Sequence, residues 1–421
     1  MARQQRTDAA RATFSRRRLL GAAGVIGAAG LTGGGFALGS AIATPQKETT
    51  AGDETPLYGE HQAGIATPTQ DRMVFAAFDV TTGDVGAVKS MLAAWTVAAA
   101  AMCAGKQVGD NEKHPLSPPD DTGEAVGLPP SQLTITIGFG PSLFDERFGL
   151  AGRKPAKLVQ LPHFAADQLD PRKSDGDICI QACANDPQVA FHAVRNLTRL
   201  GRGTLATRWM QLGFGKTSAT SRAQATPRNL FGFKDGTNNI KGEDTAAMDQ
   251  FVWVGDEADQ AWMKGGSYLV TRRINMHIET WDRDSLKDQE AVFGRFKLSG
   301  APLTGHEEFD APDLAAKGDD GAEVIPTGAH IRLAAPSRHG GARILRRGYS
   351  FSDGADPTLG DFDAGLFFIA YQKDPASQFI AIQKDLAAND ALNEYIIHTG
   401  SAIFACPGGL QQGETWADKL A

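Results

Sequence analysis

Residues 133–140 read Leu-Thr-Ile-Thr-Ile-Gly-Phe-Gly, directly after a Pro/Asp/Gly-rich loop near 114–131. β-branched and aromatic residues bounded by turn formers mark a strand. Upstream, MVFAAFDV (Met73–Val80) reads as a second strand, and the Ala-rich run Val85–Ala104 as a helix. Downstream come strand DICIQACAN (Asp177–Asn185), helix Pro187–Leu200 and strand TLATRWMQLG (Thr204–Gly213). The succession β-α-β-β-α-β is the ferredoxin-like pattern.

A looser second copy follows. Gln250–Gly255 reads as a short strand, Ser267–Glu279 as a long one and Arg283–Phe293 as a helix. Strands are expected around 330–335 and 343–351, then strand Leu366–Gln372, helix Ser377–Leu392 and strand Ser401–Ala405. The expected class is α+β, with two ferredoxin-like domains, 71–220 and 221–421, packed together. Two open sheets of this kind leave helix-lined space beside each, wide enough for a flat ligand. Residues 44–70, polar and rich in Pro, Thr and Gln, read as a flexible leader.

The chain has 421 residues, 42% hydrophobic and 22% charged, enough for a sizeable core and for two domains. Its net charge is −7, yet residues 1–43 hold six arginines and one acid, leaving −12 on the rest. An acidic body argues against a nucleic-acid partner. Four cysteines (103, 179, 183, 406) do not make a disulfide scaffold, and no CxxCH or paired CxxC occurs. Cys179 and Cys183 share one strand face and read as small buried hydrophobes.

Ser15-Arg16-Arg17-Arg18-Leu19-Leu20 opens a run without charge as far as Ala43. A basic start, a weakly apolar middle and Ala41-Ile42-Ala43 at its end fit a signal peptide of residues 1–43. The Arg pair is a twin-arginine signal, used for cargo that folds before export. A membrane anchor is the other reading of so long a run. Export implies the twin-arginine translocase as a partner and a periplasmic or extracellular destination, and folded cargo often carries a cofactor.

The chemistry is concentrated in two stretches. In NLFGFKDGTNN (Asn229–Asn239), Asp235 stands between two phenylalanines and a Gly-Thr-Asn-Asn turn. A hairpin turn accounts for Asp-Gly, whereas the apolar approach draws the carboxylate toward a pocket, where Asp can hold or pass a proton. In VIPTGAHIRLAAPSRHGGARILRRGYSF (324–351), His330 enters a short apolar strand, and Arg346 and Arg347 lie inside another. Alternation sends the two arginines to opposite faces, and an inward arginine needs an oxygen or anion partner. Haem iron needs an axial ligand such as His, and peroxide activation needs a proton carrier and a cation. His330, Asp235 and Arg346 supply those parts.

Taken together, FGFKDGTNN, AHIRLAAP and ILRRGYSF resemble the dye-decolorising peroxidases, in particular their exported deferrochelatase-type branch, over roughly residues 55–415. The resemblance implies paired ferredoxin-like domains and one non-covalent haem b in the C-terminal domain. It places the distal acid-base on Asp235, the iron ligand on His330 and the distal arginine on Arg346, with Arg347 one register step away. Gly236, Thr237, Asn238, Ala335, Pro336 and Ser337, with Arg338 as a further candidate, would line the haem edge. The run Leu333–Arg338, LAAPSR, departs from the family's Asn and Arg around the proline. The implied activity is reduction of hydrogen peroxide with one-electron oxidation of a bulky aromatic, dye-like reductant. The alternative is release of iron from haem, with iron-uptake proteins as partners. A homodimer is left open.

Other features read as structural. His306-Glu307-Glu308 lacks the i, i+4 histidine spacing of a helical metal site and reads as a loop. Asp319-Asp320 reads as a solvated turn. Trp209, Trp253, Trp262, Trp281 and Tyr349 read as core or interface residues; an electron relay from surface to haem is the alternative role for one of them.

Overall fold

The computed structural model describes residues 53–111, 115–356 and 360–420. The signal reading over 1–43 and the first part of the leader lie outside them. In the N-terminal half, β1 (Arg72–Val80), α1 (Val85–Cys103), β2 (Thr134–Phe139), β3 (Ile178–Ala184), α2 (Pro187–Leu200) and β4 (Leu205–Lys216) follow one another. The C-terminal half comprises α3 (Thr245–Phe251), β5 (Ser267–Met276), α4 (Ile278–Trp281), α5 (Leu286–Phe293), α6 (His330–Leu333), β6 (Leu345–Arg346), β7 (Tyr349–Ala355), β8 (Phe362–Gln372), α7 (Ala381–Asn389) and β9 (Ile396–Cys406).

All strands belong to one sheet rather than two. Its order is β5-β9-β2-β3-β1-β4-β7-β8-β6, and β5 also pairs with β8, so the sheet closes like a barrel. The joints between halves are thin: Phe139 pairs with Ala405 at β2–β9, and Phe214 with Ser350 at β4–β7. Within each half the pairing is long and antiparallel, as between β1 and β3 or β5 and β8.

Closure explains why strand after strand is buried on both faces. On β1, Val74, Ala76 and Phe78 face the core under α1 and α2, with Trp95 and Ile137. The alternate residues Met73, Phe75 and Ala77 face the barrel interior, with Cys179, Cys183, Tyr349 and Phe404. Period-two alternation therefore feeds two cores from one strand. All four cysteines are free and buried, as expected of small hydrophobes.

Several expectations need correction. Residues 53–70 are packed onto the barrel and are no flexible leader. Ile65 is fully buried, Tyr58 bridges to Leu410, and the Gln62 amide donates to Ile137 O and Pro407 O while accepting from Ile137 N. Polar composition misled because these side chains satisfy backbone groups at the β2–β9 joint. Gln250–Gly255 is not a strand. The chain there leaves α3, whose N-terminus Asp244 caps by accepting from Ala247 N. Residues 330–335 form the single turn of α6, closed by Ala334 N donating to His330 O, and not a strand. A short stretch such as His330–Ala335, with apolar residues interrupted by Arg332, is ambiguous between the two states.

Candidate active site

Asp235 is carried by a short hairpin. Asn229 N donates to Phe233 O, Asp235 N donates to Pro227 O, and Arg228 and Lys234 pair across it. Gly236 has φ +88°, and a Cβ there would stand 3.2 Å from Ser218 Cα, backbone that cannot swing aside. Phe231 and Phe233 are buried with Met276, Trp281, Phe293, Leu392 and Tyr395. The turn and the apolar approach are seen together. The Asp-Gly pair makes a turn, and the phenylalanines anchor that turn so that the Asp235 side chain is only 11% exposed.

Arg346 meets Asp235 from the edge strand β6, its Nη1 2.6 Å from Asp235 Oδ1. Arg347 points the other way and is sealed in the barrel. Its guanidinium donates to Thr67 O, Pro68 O, Gln70 Oε1 and Thr220 Oγ1. Alternation thus gives the two arginines different tasks. The carbonyls around Arg347 are the oxygen partners that a buried guanidinium requires.

His330, the first residue of α6, turns its Nδ1 to Asp390 Oδ2 at 2.6 Å. Asp390 is buried, and its other oxygen accepts from Leu392 N. Burial pushes the imidazole toward its neutral form, but the adjoining Asp390 charge and hydrogen bond outweigh this and raise its pKa. The charges of Arg346, which lowers the pKa, and Asp235, which raises it, also act on the ring.

This donor set fits a haem and not a bare ion. Among the described residues no group of three or more His, Cys, Asp or Glu is placed to hold a metal. An imidazole with Nδ1 fixed by a carboxylate and Nε2 without a hydrogen-bond partner among those residues is the pattern of a metal-ligating histidine. His330 remains 30% exposed and Arg346 26%, so both side chains are accessible.

Of the remaining expected residues, Thr237 donates to Glu308 Oε1 at 3.2 Å, and Lys234, on the other side of Asp235, also pairs with Glu308. Burial pushes the Glu308 carboxyl up, but Lys234, Thr226 and Thr237 bring it below its ordinary value. Glu308 has a loop role as expected, at a place that its sequence context did not disclose. Asn238 and Ser337 are exposed, Ala335 and Pro336 partly buried, and Arg338 pairs with Asp385 at 2.9 Å. Trp209, Trp253, Trp262, Trp281 and Tyr349 are buried core residues.

Asp390 and Asn239 escaped sequence reasoning. The Asn239 amide donates to Arg346 O and Ala219 O and accepts from Arg346 N. Nothing local marks Asp390 beyond a cap-like Asn-Asp-Ala, and Asn239 looked like one more turn residue.

Models of the Dyp-type peroxidase family match both parts of the chain, the N-terminal model over residues 62–215 and the C-terminal one over 226–411. A deferrochelatase of Escherichia coli strain K12 is 40% identical over 401 residues, 94% of each chain. The crystal structure of a DyP-type peroxidase from Streptomyces coelicolor superposes with TM-score 0.80 at 39% identity, covering 87% of this chain and 96% of its own. An oxyferrous complex of DtpA from Streptomyces lividans gives the same TM-score and identity over 87% of this chain and 97% of that one.

Proposed function

From the premise that the chain belongs to the Dyp-type peroxidase family, and is therefore a haem peroxidase, we propose that it oxidises bulky aromatic, dye-like reductants in one-electron steps. One haem b, non-covalently held, is ligated by His330. The contact of Arg346 with Asp235, together with the Asp390-held His330 that feels both charges, is the observation that carries this reading. The strand orders β2-β3-β1-β4 and β9-β5-β8-β7 support two ferredoxin-like halves, and the haem is assigned to the C-terminal half because it carries Asp235, His330 and Arg346.

The bound haem supplies the iron at which peroxide is reduced and the oxidising equivalents are held. Asp235 moves the proton. Its Oδ1 is engaged by Arg346, while Oδ2 has one long hydrogen bond, 3.3 Å from Asn229 Nδ2. Oδ2 is therefore the oxygen that takes a proton from one peroxide oxygen and returns it to the other. The Arg346 cation favours departure of the outer oxygen as negative charge gathers there. Asp390 holds the His330 ring in the tautomer that leaves Nε2 for the iron. Gly236, Thr237 and Asn238, with Ala335, Pro336, Ser337 and Arg338, would line the edge of the haem.

A Soret band on the purified protein, lost in His330→Ala, is the expected result. A protein that stays colourless after haem addition overturns the proposal. Likeness to deferrochelatase over 94% of both chains supports a second reading, release of iron from haem within an uptake system. Intact, iron-loaded porphyrin recovered after incubation under reducing conditions would exclude it. The segment 1–43 supports export by the twin-arginine pathway to the periplasm or beyond.

A further inference from the structure

We propose that Asn239 is the positioning residue of the peroxide-reacting pair, holding Arg346 in place against Asp235; this rests on the roles assigned above to those two residues. The strand that carries Arg346 is two residues long and ends the sheet order at its β8 side. Arg347 N donates to Ile369 O, so by antiparallel alternation the N–H and C=O of Arg346 point away from β8. Such edge groups need partners or water.

One side-chain amide satisfies both. Asn239 Oδ1 accepts from Arg346 N at 2.8 Å, and Asn239 Nδ2 donates to Arg346 O at 2.8 Å. The same Nδ2 donates to Ala219 O at 3.1 Å, and Asn239 is only 5% exposed. A planar head with a donor and an acceptor side by side stands in for a neighbouring strand. Aspartate offers only the acceptor, and glutamine places the head one methylene too far.

Asn239 also belongs to the loop that bears the acid. It lies four residues after Asp235, and its N–H closes the turn by donating to Gly236 O at 3.0 Å. A single residue thereby sets the main chain of Arg346 in the reference frame of Asp235. The 2.6 Å contact between Nη1 and Oδ1 is made across 111 positions of sequence by that frame. Asn239 touches no reacting atom and acts through Arg346.

A double-mutant cycle in the haem-loaded protein tests this, read by stopped-flow mixing with hydrogen peroxide. Asn239→Ala is expected to keep the Soret band and the KM for reductant while slowing the peroxide reaction roughly 10–100-fold, the scale of a misplaced reacting group. In an Arg346→Ala background the same change is expected to cost less than about threefold, because the residue it positions is gone. Asn239→Asp, which keeps the acceptor for Arg346 N, is expected to fall between, and it serves as the readout if the alanine variant does not fold. An unchanged rate in Asn239→Ala overturns the inference, as does an equal loss with and without Arg346. If Arg346→Ala itself leaves the rate unchanged, the role given to Arg346 fails first and the inference with it.

Discussion

Asp390 reaches His330 across sixty residues of sequence, Oδ2 to Nδ1 at 2.6 Å, and does so from a buried helix-capping position. The carboxylate is held from behind by Leu392 N, so it cannot follow a ring that moves. Asp390→Ala is expected to weaken haem retention about 10–100-fold, the usual cost of losing the partner of a ligating histidine. Haem transfer to an excess of apomyoglobin measures it, and a transfer rate equal to that of the parent protein would contradict the assignment.

Asp235→Asn keeps the size of the side chain and removes its basicity. Haem content should be unchanged, and the reaction with hydrogen peroxide should slow by about two to four orders of magnitude. Stopped-flow absorbance is the measurement. Unaltered kinetics would move proton transfer to Arg346 or to solvent.

His398 makes acid a threat to the fold. Burial, helped by the Arg272 charge, lowers its pKa to about 3, whereas the unfolded ring titrates near the ordinary value of about 6.5. On acidification the unfolded chain takes up the proton first. The stabilisation is therefore full above about pH 6.5 and is lost as pH falls toward 3, by about 1.4 kcal/mol per pH unit. Urea unfolding at pH 6.5 and 4.5 should show the parent protein losing about 2–3 kcal/mol more than His398→Gln. Equal losses in both proteins would show that the ring is hydrated.

Gln62 joins β2 to the segment after β9 through three hydrogen bonds, two to Ile137 and one to Pro407 O. Gln62→Ala leaves those backbone groups without partners in a buried place. Orphaned buried polar groups cost about 1–3 kcal/mol each when water cannot reach them. An unfolding free energy lower by about 2–4 kcal/mol is expected, with the peroxide reaction intact in the folded protein. A loss below about 0.5 kcal/mol would mean that water replaces the amide.

Replacing Arg16 and Arg17 together by Lys tests the export reading. Haem-loaded precursor, with residues 1–43 still attached, should accumulate inside the cell. Normal export of the variant would assign the address to another signal, and apo-precursor inside with holo-protein outside would place haem loading after transport.

Much of the fold was legible where local chemistry decides it. Strands β1, β2 and β3 are rich in residues that suit a sheet buried on both faces, and the expected helix Pro187–Leu200 is α2, capped by Asp186. Sheet closure was not legible, because Phe139 meets Ala405 across most of the chain and no local pattern records that pairing. His330 reads as part of a strand because a stretch as short as His330–Leu333 carries no decisive period. Asp235 and Arg346, the groups proposed to react, stand out in their motifs, and the structure brings them into contact. Their supports do not stand out. Asn239, Glu308 and Asp390 act through main-chain groups or over long separations, where an ordinary turn residue and a structural clamp look alike.

The joint held by Gln62, Phe139 and Ala405, with Tyr58 bridged to Leu410 beside it, also sets a clock on synthesis. A ribosome delivers Tyr58 and Gln62 long before Pro407 and Leu410 exist, at roughly 5–20 residues per second. Until residues 405–407 emerge, Phe139 on β2 has no partner across the joint, and Gln62 can hold Ile137 but not Pro407 O. A chain broken off anywhere before residue 400 therefore keeps an open strand edge, the kind of surface on which other strands assemble. Only a chain that has delivered β9 can hide it, so closure of the barrel waits for that strand.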